Sequence, residues 1–246
     1  MGSNLVQYLL ERKYVVHVVD IAFNKEFDKY KDNEYFYFHL TDITDESEIN
    51  KLKSFFSDQK IMIDVLINNA AINPDVNKSS KNFSRLENFS VLNWDQELDV
   101  GLKGSFLLSK HFGPMISKSN DGVILNVSSD LGIISPDQRL YEMSGKETSD
   151  QPVKPVTYSV IKSGLIGLTK YLSTYWRPNL RSIAICPGGI QNNQNQEFQS
   201  KVSNLIPLGR LAEVNEICSV IEFLISDNAS YINGAVISVD GGRVAW

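Results

Sequence analysis

Short runs of β-branched and aromatic residues alternate along this chain with longer segments in which apolar residues recur every three or four positions. The short runs predict six strands: Tyr14–Asp20, Tyr35–Leu40, Ile61–Ile67, Gly122–Val127, Arg181–Ile185 and Ala235–Val239. The longer segments predict five helices: Asn4–Arg12, Glu46–Ser57, Trp94–Ser117, Thr157–Tyr175 and Val214–Ser226. This alternation is typical of βαβ units, so the sequence predicts an α/β fold around a mostly parallel sheet.

Two irregular segments interrupt this pattern, near residues 73–93 and 135–155. Both follow closely after predicted strands, and an open parallel sheet binds its ligands at the carboxyl ends of its strands. We expect these segments to be insertions that line a substrate site. The alternative is that they are solvated loops with no part in binding.

Length and charge narrow the classes of function. The 246 residues fit one domain spanning 1–246, and the net charge of −5 disfavours nucleic acid and anionic membranes as partners. No apolar run approaches the ~20 residues that cross a bilayer, and the N-terminus lacks a signal-peptide pattern, so we expect a cytoplasmic protein. The two cysteines lie far apart and the three histidines share no ligand spacing, so we expect no metal site.

The strongest candidate chemistry is the pair Tyr158 and Lys162. Four residues apart on a predicted helix, the two side chains share one face, where an ammonium can favour the ionised form of a phenol. An isolated tyrosine titrates near pH ~10, so a nearby cation would make proton transfer at neutral pH easier. With ten tyrosines in the chain, the spacing alone also fits an amphipathic helix with a solvated lysine.

The surrounding sequence favours the catalytic interpretation. A buried-type strand ends at Ser128-Ser129, which places a hydroxyl at a strand tip where a carbonyl can be held. Another predicted strand ends at Asn68-Asn69, and a third runs into Pro187-Gly188, where glycine lets the backbone approach a flat ligand. Three strand tips are therefore expected to converge near Tyr158.

In their order along the chain these motifs resemble the short-chain dehydrogenase/reductase family. The matching segments are Asn68-Asn69-Ala70-Ala71, Ser128-Ser129, Tyr158-x-x-x-Lys162, Pro187-Gly188 and Val239-Asp240-Gly241-Gly242. The resemblance runs from about Gly2 to the C-terminus. It implies a Rossmann-like, doubly wound single domain that transfers a hydride between a nicotinamide and an alcohol or carbonyl, and pairing of long helices into a homodimer or homotetramer.

The resemblance also implies roles for individual residues. Tyr158 would be the general acid/base, Lys162 would lower the pKa of Tyr158 and bind the nicotinamide ribose, and Ser129 would position the substrate oxygen. The matched cofactor-binding positions are Gly2, Asp20, Asp42, Asn69, Ala70, Tyr158, Lys162, Pro187, Gly188 and Ile190.

Asp20 bears on the choice of cofactor because it closes a predicted strand. A carboxylate there can accept hydrogen bonds from the adenosine ribose and would repel a 2′-phosphate, which predicts NAD over NADP. Asp42 resembles the family's adenine-contacting aspartate. Either residue is alternatively a strand-end or helix-capping aspartate.

The chain departs from the family pattern in three places. The family's first strand and most of its glycine-rich, pyrophosphate-binding turn are absent ahead of Gly2, so we expect a start assigned too late or a truncated chain with poor dinucleotide affinity. Loss of that central strand would leave two neighbouring strands with unpaired backbone groups. Gly101 replaces an asparagine that usually holds a proton-relay water. An extra loop separates Ser129 from Tyr158, and we expect it to cap the active site.

The extra loop also offers candidate substrate ligands. Gln138, Arg139 and Lys154 can bind an anionic or polyhydroxylated group, and arginine suits phosphate or carboxylate. The loop resembles dehydrogenases of bacterial surface-glycan and sialic-acid-like sugar pathways, which makes a sugar phosphate or nucleotide sugar the hypothesis for the substrate. These charges can equally face water. The competing function is a non-catalytic binding or scaffold protein, which the missing turn and Gly101 would favour.

Overall fold

Six parallel strands run through the middle of the computed structural model, which describes residues 1–72, 84–119, 121–192 and 194–246. The strands are β1 (Val16–Asp20), β2 (Phe36–Leu40), β3 (Val65–Asn68), β4 (Gly122–Val127), β5 (Leu180–Pro187) and β6 (Val236–Val239). All six predicted strands are present, with shifts of a few residues at most ends.

The strands pair in two groups. β1 and β2 form one parallel sheet, and β3–β4–β5–β6 form a second parallel sheet in that order. In the described residues β1 pairs only with β2, and β3 pairs only with β4. The family resemblance implied that a central strand would pair with both β1 and β3.

Helices cover both faces of the strands. They are α1 (Gly2–Leu10), α2 (Glu46–Asp58), α3 (Val91–Leu98), α4 (Gly104–Ile116), α5 (Val156–Tyr175), α6 (Gln196–Ser203) and α7 (Val214–Ile225). Leu5 of α1 and Ile217 of α7 pack on one face against Val123 of β4, whereas Ile49 of α2 and Ile116 of α4 pack on the other. The predicted doubly wound, Rossmann-like α/β class is confirmed. None of the helices among the described residues is long and apolar enough to cross a membrane.

The single helix predicted over Trp94–Ser117 is present, but it contains a π-helical turn that was not predicted. The structure has α3, a π-helical turn over Asp99–Lys103, and then α4. Gly101 and Gly104 lie in or beside this turn, and a Cβ on Gly104 would lie 2.7 Å from Ile43 Cδ1. Glycine allows the close contact with Ile43 but weakens regular helix, which is why the apolar period alone did not reveal this turn.

Helix α6 was not predicted, because its surface is mostly polar. Asn195 caps it by accepting a hydrogen bond from Phe198 N at 2.8 Å. Val202 is buried with Ile206 and Leu211, and Phe198 packs against the same cluster. The polar segment after Pro187-Gly188 therefore contains an anchored helix.

The second predicted insertion, residues 135–155, is an ordered loop, called here the insertion loop. It contains short 3-10 turns at Gln138–Tyr141 and Thr148–Asp150. The Gln151 amide ties it together by accepting from Met143 N at 2.7 Å and donating to Lys146 O at 2.8 Å. Of the first predicted insertion, residues 73–83 lie outside the described part of the chain, and the remainder leads into α3.

Candidate active site

The carboxyl ends of the strands bring most of the predicted site residues to one edge of the fold. Asp20 ends β1, Asn69 and Ala70 follow β3, Ser129 follows β4, and Gly188 follows β5. Gly2 starts α1, and a Cβ on Gly2 would lie 3.0 Å from the Asn69 side-chain nitrogen. Sequence positions that are far apart therefore meet where parallel sheets bind ligands.

Ser129 is fixed by the turn that follows β4. Its hydroxyl donates to Asp130 Oδ1 at 2.7 Å and accepts a hydrogen bond from Leu131 N at 3.2 Å. The neighbouring Ser128 hydroxyl donates to the carbonyl of Lys162 at 2.7 Å, which fastens this turn to α5. Ser129 is thus buried and held beside the helix that carries Tyr158.

Tyr158 and Lys162 lie one turn apart on α5, as predicted. The Lys162 ammonium is 5.7 Å from the centroid of the Tyr158 ring and donates to the Val127 carbonyl at 2.8 Å. Lys162 is only 7% exposed, and burial lowers its pKa to about 8. The lysine is therefore tied to the end of β4, on the side of the Tyr158 ring.

The pKa of Tyr158 departs from the sequence expectation. Burial raises the pKa of its phenol above the ordinary value, a hydrogen bond with Ser129 opposes that rise, and the charge of Asp130 adds to it. We expected Lys162 to lower the pKa, but in this structure the loss of solvent around the phenol dominates. Burial therefore favours the neutral, protonated phenol.

A second lysine reaches Tyr158 from the insertion loop. The Lys154 ammonium lies 3.7 Å from the centroid of the Tyr158 ring. Burial, with a smaller contribution from the Lys162 charge, lowers the pKa of Lys154 to about 8. Sequence reasoning named Lys154 as a loop charge but did not place it beside Tyr158, since nothing in the spacing shows the path of the loop.

The other two predicted substrate residues have different environments. Gln138 lies near Lys154, whose backbone N–H donates to Gln138 Oε1 at 2.8 Å. The Arg139 guanidinium is engaged by Asp137 through two hydrogen bonds, of 2.8 and 2.7 Å, and its side chain is 78% exposed. A cavity of about 450 Å³ is lined by Gln138 and Lys154 together with Ser84, Leu131, Ser159 and Ser163.

The two predicted adenosine-binding aspartates each stabilise a local turn. Asp20 is exposed, and its Oδ1 accepts from Ala22 N at 3.2 Å. Asp42 Oδ1 accepts from Thr44 N at 2.8 Å and from the Thr44 hydroxyl at 2.7 Å. Asp42 thus accepts more hydrogen bonds within its turn than Asp20 does. The carboxylate of the exposed Asp20 remains accessible.

The segment after β5 is held against the end of β6. Gly188 N donates to the Val239 carbonyl at 3.0 Å, and a Cβ on Gly188 would lie 2.9 Å from Asp240 Cα. Ile190 forms an isolated parallel bridge with Ala212. Glycine is required at position 188 because no side chain fits between the two backbones.

Gly101 lies buried in the π-helical turn, where the family usually has asparagine. A Cβ there would lie 2.7 Å from Ile161 Cγ2, so Ile161 of α5 fills the space of a side chain. The Gly101 carbonyl accepts from the Ser105 hydroxyl at 3.1 Å. The structure therefore explains the glycine by packing.

Sequence reasoning missed Asp130 and Arg243. Asp130 is 6% exposed, and burial raises the pKa of its carboxyl. Its Oδ2 lies 3.5 Å from Nε of Arg243, which is also buried. Asp130 follows Ser129 directly, but nothing in the sequence links it to Arg243 near the other end of the chain.

The described residues fit a dinucleotide cofactor but show no metal centre. Gly2 leaves the start of α1 without a side chain beside Asn69, which allows a ligand to approach the backbone. An exposed carboxylate at Asp20 ends β1, and the buried ammonium of Lys162 on α5 donates to the carbonyl of Val127 at the end of β4. Among the described residues no three His, Cys, Asp or Glu side chains are grouped to bind a metal ion.

Comparison with known proteins agrees with this geometry. Residues 1–243 match the family model described as enoyl-(acyl carrier protein) reductase. A 3-oxoacyl-[acyl-carrier-protein] reductase of Aquifex aeolicus is 35% identical over 202 residues, covering 80% of this chain and 72% of the relative. An uncharacterized oxidoreductase of Thermotoga maritima is 32% identical over 194 residues, covering 74% of this chain and 68% of the relative.

Solved structures show the same fold. A short-chain dehydrogenase of Leptospira borgpetersenii with bound NAD+ superposes with a TM-score of 0.86 at 29% identity, covering 99% of this chain and 88% of the other. A 4-hydroxyisoleucine dehydrogenase complexed with NADH and succinate gives a TM-score of 0.82 at 26% identity, covering 100% and 95%. The motif order, the strand-end geometry and these matches show that the chain belongs to the short-chain dehydrogenase/reductase family of oxidoreductases.

Proposed function

We propose that this protein is an NAD(H)-dependent enzyme that interconverts an alcohol and a carbonyl, with Ser129, Tyr158 and Lys162 as its catalytic residues. The observation that carries the proposal is the meeting of these three side chains where β4 ends against α5. A solvated lysine on an amphipathic helix, the alternative for Lys162, does not fit a side chain that is 7% exposed and hydrogen-bonded to β4.

The role of each residue follows from the chemistry of its side chain. A bound nicotinamide supplies or accepts the hydride. Tyr158 donates a proton to the substrate oxygen during reduction and takes one during oxidation. Lys162 keeps positive charge near the phenol, and its N–H groups not used by Val127 can bind ribose hydroxyls. Ser129 holds the substrate oxygen next to Tyr158.

For the cofactor we propose NAD rather than NADP. The support is the exposed Asp20 carboxylate at the end of β1, which can accept hydrogen bonds from ribose hydroxyls and repels a 2′-phosphate. Relatives solved with NAD+ and with NADH are consistent with that choice. Gly2, Asn69, Ala70, Gly188 and Ile190 are proposed to complete the cofactor site, and Asp42 to contribute from its turn.

For the substrate we propose a sugar phosphate or nucleotide sugar of the surface-glycan type. Lys154 and Gln138 line the same cavity, so a substrate there would meet an ammonium and an amide, which suit an anionic, hydroxyl-bearing molecule. The relative solved with succinate supports an anionic ligand. Arg139 is proposed to contact the substrate only at the outer rim of the cavity, because Asp137 already binds its guanidinium.

We also propose a homodimer or homotetramer that pairs through α3, α4 and α5. Exposed apolar side chains on these helices support the proposal: Val91, Leu92, Phe106, Val160, Tyr171 and Tyr175. Burying them between copies would remove apolar surface from water.

The proposed function is tested by separating binding from turnover. NADH fluorescence titration of the wild type and of Lys162→Met measures binding, and a panel of sugar phosphates and nucleotide sugars with NAD+ measures turnover. We expect weak but saturable NADH binding by the wild type, weaker binding still by Lys162→Met, and NADH production from at least one sugar. NADH binding without turnover of any alcohol or carbonyl would instead identify a non-catalytic member.

A further inference from the structure

Tyr158 has to regain a proton after each reduction that it serves. In the proposed reaction the phenol gives its proton to the substrate oxygen, and the phenolate that remains must be protonated before the next turnover. Burial favours the neutral phenol, so the phenolate takes up a proton readily. A group that contacts both the phenol and solvent is placed to supply this proton.

Lys162 is poorly placed to exchange protons with solvent. Its side chain is buried, and its ammonium donates to the Val127 carbonyl at 2.8 Å, at the end of β4. The ammonium also lies 5.7 Å from the centroid of the Tyr158 ring. These contacts suit Lys162 to the role of a fixed charge rather than to that of a proton carrier that reaches water.

Lys154 reaches both the phenol and the solvent side. Its ammonium lies 3.7 Å from the centroid of the Tyr158 ring, and the residue is half-buried and lines the cavity of about 450 Å³ beside the insertion loop. That cavity is partly open to solvent and holds several water molecules at about 30 Å³ each. The flexible four-carbon stem of a lysine lets the ammonium reach the phenol oxygen directly or through one water molecule.

The backbone of Lys154 is anchored beside the start of α5. Lys154 N donates to Gln138 Oε1 at 2.8 Å, within the insertion loop. Pro155 follows directly and is the N-terminal cap residue of α5, where its carbonyl accepts from Tyr158 N at 3.2 Å. The lysine stem therefore starts from a fixed point next to the helical turn that carries the phenol, and only the side chain has to move.

We propose that Lys154 is a proton shuttle, which returns a proton to Tyr158 after each reduction and recovers one from solvent in the cavity. One N–H bond of Lys154 breaks as the O–H bond of Tyr158 forms again, and the neutral amine then takes a proton from hydronium or from a buffer acid. Each reduction thus consumes one solvent proton, and no electrons pass through Lys154. In the oxidation direction every transfer is reversed. The inference rests on the proposed role of Tyr158.

The acidities of the two groups have the order that this transfer requires. Burial lowers the pKa of Lys154 to about 8, whereas burial raises the pKa of Tyr158 above its ordinary value. The ammonium is therefore the stronger acid, and its proton passes to the phenolate with a favourable free energy. An amine with a pKa of about 8 is protonated again by solvent at neutral pH.

Charged groups from three other parts of the site act on Lys154. The Lys162 ammonium on α5 lowers the pKa of Lys154 further, whereas the carboxylates of Asp130, after β4, and Glu97, in α3, oppose that shift. Glu97 is buried and accepts a hydrogen bond from the Thr157 hydroxyl. Because the pKa of Lys162 is also about 8, the test distinguishes the two lysines by substitution and rescue.

The first variant separates the charge of Lys154 from its ability to release a proton. Lys154→Arg keeps a positive charge, but a guanidinium does not lose its proton in proteins. With NADH and the carbonyl form of the most active sugar from the panel, we expect kcat to fall about tenfold or more, while KM and NADH affinity change little. The solvent isotope effect on kcat should be larger in Lys154→Arg than in the wild type, because proton delivery then limits turnover.

The second variant allows chemical rescue. Lys154→Ala opens space beside Tyr158 for imidazole, a small base that exchanges protons near neutral pH. Added imidazole should restore most of the lost kcat in Lys154→Ala and leave the wild type unchanged. Lys146→Ala is the matched control, since Lys146 is an exposed lysine of the same loop, and its kcat should equal that of the wild type with and without imidazole.

The possible outcomes distinguish the shuttle from the proposed function. Wild-type turnover with an unchanged kcat in Lys154→Arg would overturn the shuttle alone, and so would a loss in Lys154→Ala that imidazole does not restore. If the wild type turns over no carbonyl of the panel, the proposed function is refuted and the shuttle with it. If circular dichroism shows that Lys154→Ala does not fold, the kcat and the isotope effect of Lys154→Arg decide.

Discussion

The Lys154 ammonium lies over the Tyr158 ring at 3.7 Å from its centroid, closer than Lys162 at 5.7 Å. Two lysines thus approach one buried phenol, one from the insertion loop and one from the same helix. Each has a pKa of about 8, so each is mostly charged at neutral pH and loses its charge just above it. Both ammonium groups therefore lie near the phenol at neutral pH and lose their charge in mild alkali.

The first prediction concerns substrate binding through Lys154. Lys154→Met should raise KM for an anionic sugar about tenfold, as expected for loss of one charge-assisted hydrogen bond of about 1.4 kcal/mol. Lys154→Arg keeps the charge and should change KM less. In the wild type KM should rise as pH passes about 8, where Lys154 loses its proton. Steady-state kinetics on the most active sugar phosphate from the panel measures all three, and an unchanged KM in Lys154→Met would refute this role.

The second prediction concerns stability and pH. In the unfolded chain Lys154 titrates near 10.5, against about 8 in the folded protein. Below pH 8 the charged form is held in a buried site, which destabilises the fold, and that penalty disappears as pH rises from about 8 to 10.5. Lys154→Met should therefore raise the free energy of unfolding at pH 7 by about 1–2 kcal/mol, with the gain shrinking toward pH 10. Urea unfolding at several pH values measures the trend, and a gain that grows with pH would contradict it.

The third prediction concerns the contact between Gly101 and Ile161. Gly101→Ala places a Cβ 2.7 Å from Ile161 Cγ2 and should lower the free energy of unfolding by about 1–3 kcal/mol. Ile161→Ala vacates that space, so the double variant should lose less stability than the two single variants added together.

Gly167 provides the matched control for this prediction. It lies on the same helix as Ile161, and a Cβ there would meet no atom within 4 Å. Gly167→Ala should leave stability unchanged or raise it by about 0.5–1 kcal/mol. Chemical denaturation measures the free energy of unfolding of each variant. If the losses caused by Gly101→Ala and Ile161→Ala simply add in the double variant, packing against Ile161 does not explain the glycine.

The fourth prediction concerns cofactor choice. Asp20→Ala removes the exposed carboxylate at the end of β1 and should improve NADPH binding relative to NADH by roughly tenfold, which corresponds to about 1.4 kcal/mol. Asp20→Asn, which keeps hydrogen-bonding capacity without charge, should move the ratio in the same direction. Fluorescence titration with both cofactors gives the ratio of the NADPH and NADH affinities. If neither Asp20 variant changes this ratio, another residue selects the cofactor.

Helices and strands were predicted best where buried residues recur at a regular spacing within one element. β4 matches its predicted bounds, and apolar side chains make up most of this fully buried strand. Tyr158 and Lys162 were predicted because their relation is local to one helix. Helix α6 was not predicted because its single buried residue, Val202, cannot produce a periodic apolar pattern.

The rest of the site depends on contacts between distant segments. Lys154 meets Tyr158 only through the path of the insertion loop, and Ile161 meets Gly101 only through packing of α5 on the π-helical turn. Asp130 adjoins Ser129 in sequence, but its partner Arg243 is near the other end of the chain. The raised pKa of Tyr158 likewise comes from burial, which the spacing of Tyr158 and Lys162 does not reveal.

The central claim is that Tyr158 transfers the proton in an NAD(H)-dependent reaction. The most direct measurement compares wild type and Tyr158→Phe for turnover of the best sugar in the panel, with NADH affinity and circular dichroism measured on the same samples. We predict a loss of at least about 100-fold in kcat, as expected for removal of a general acid/base, with NADH affinity and fold largely unchanged. Equal turnover by Tyr158→Phe would contradict the account.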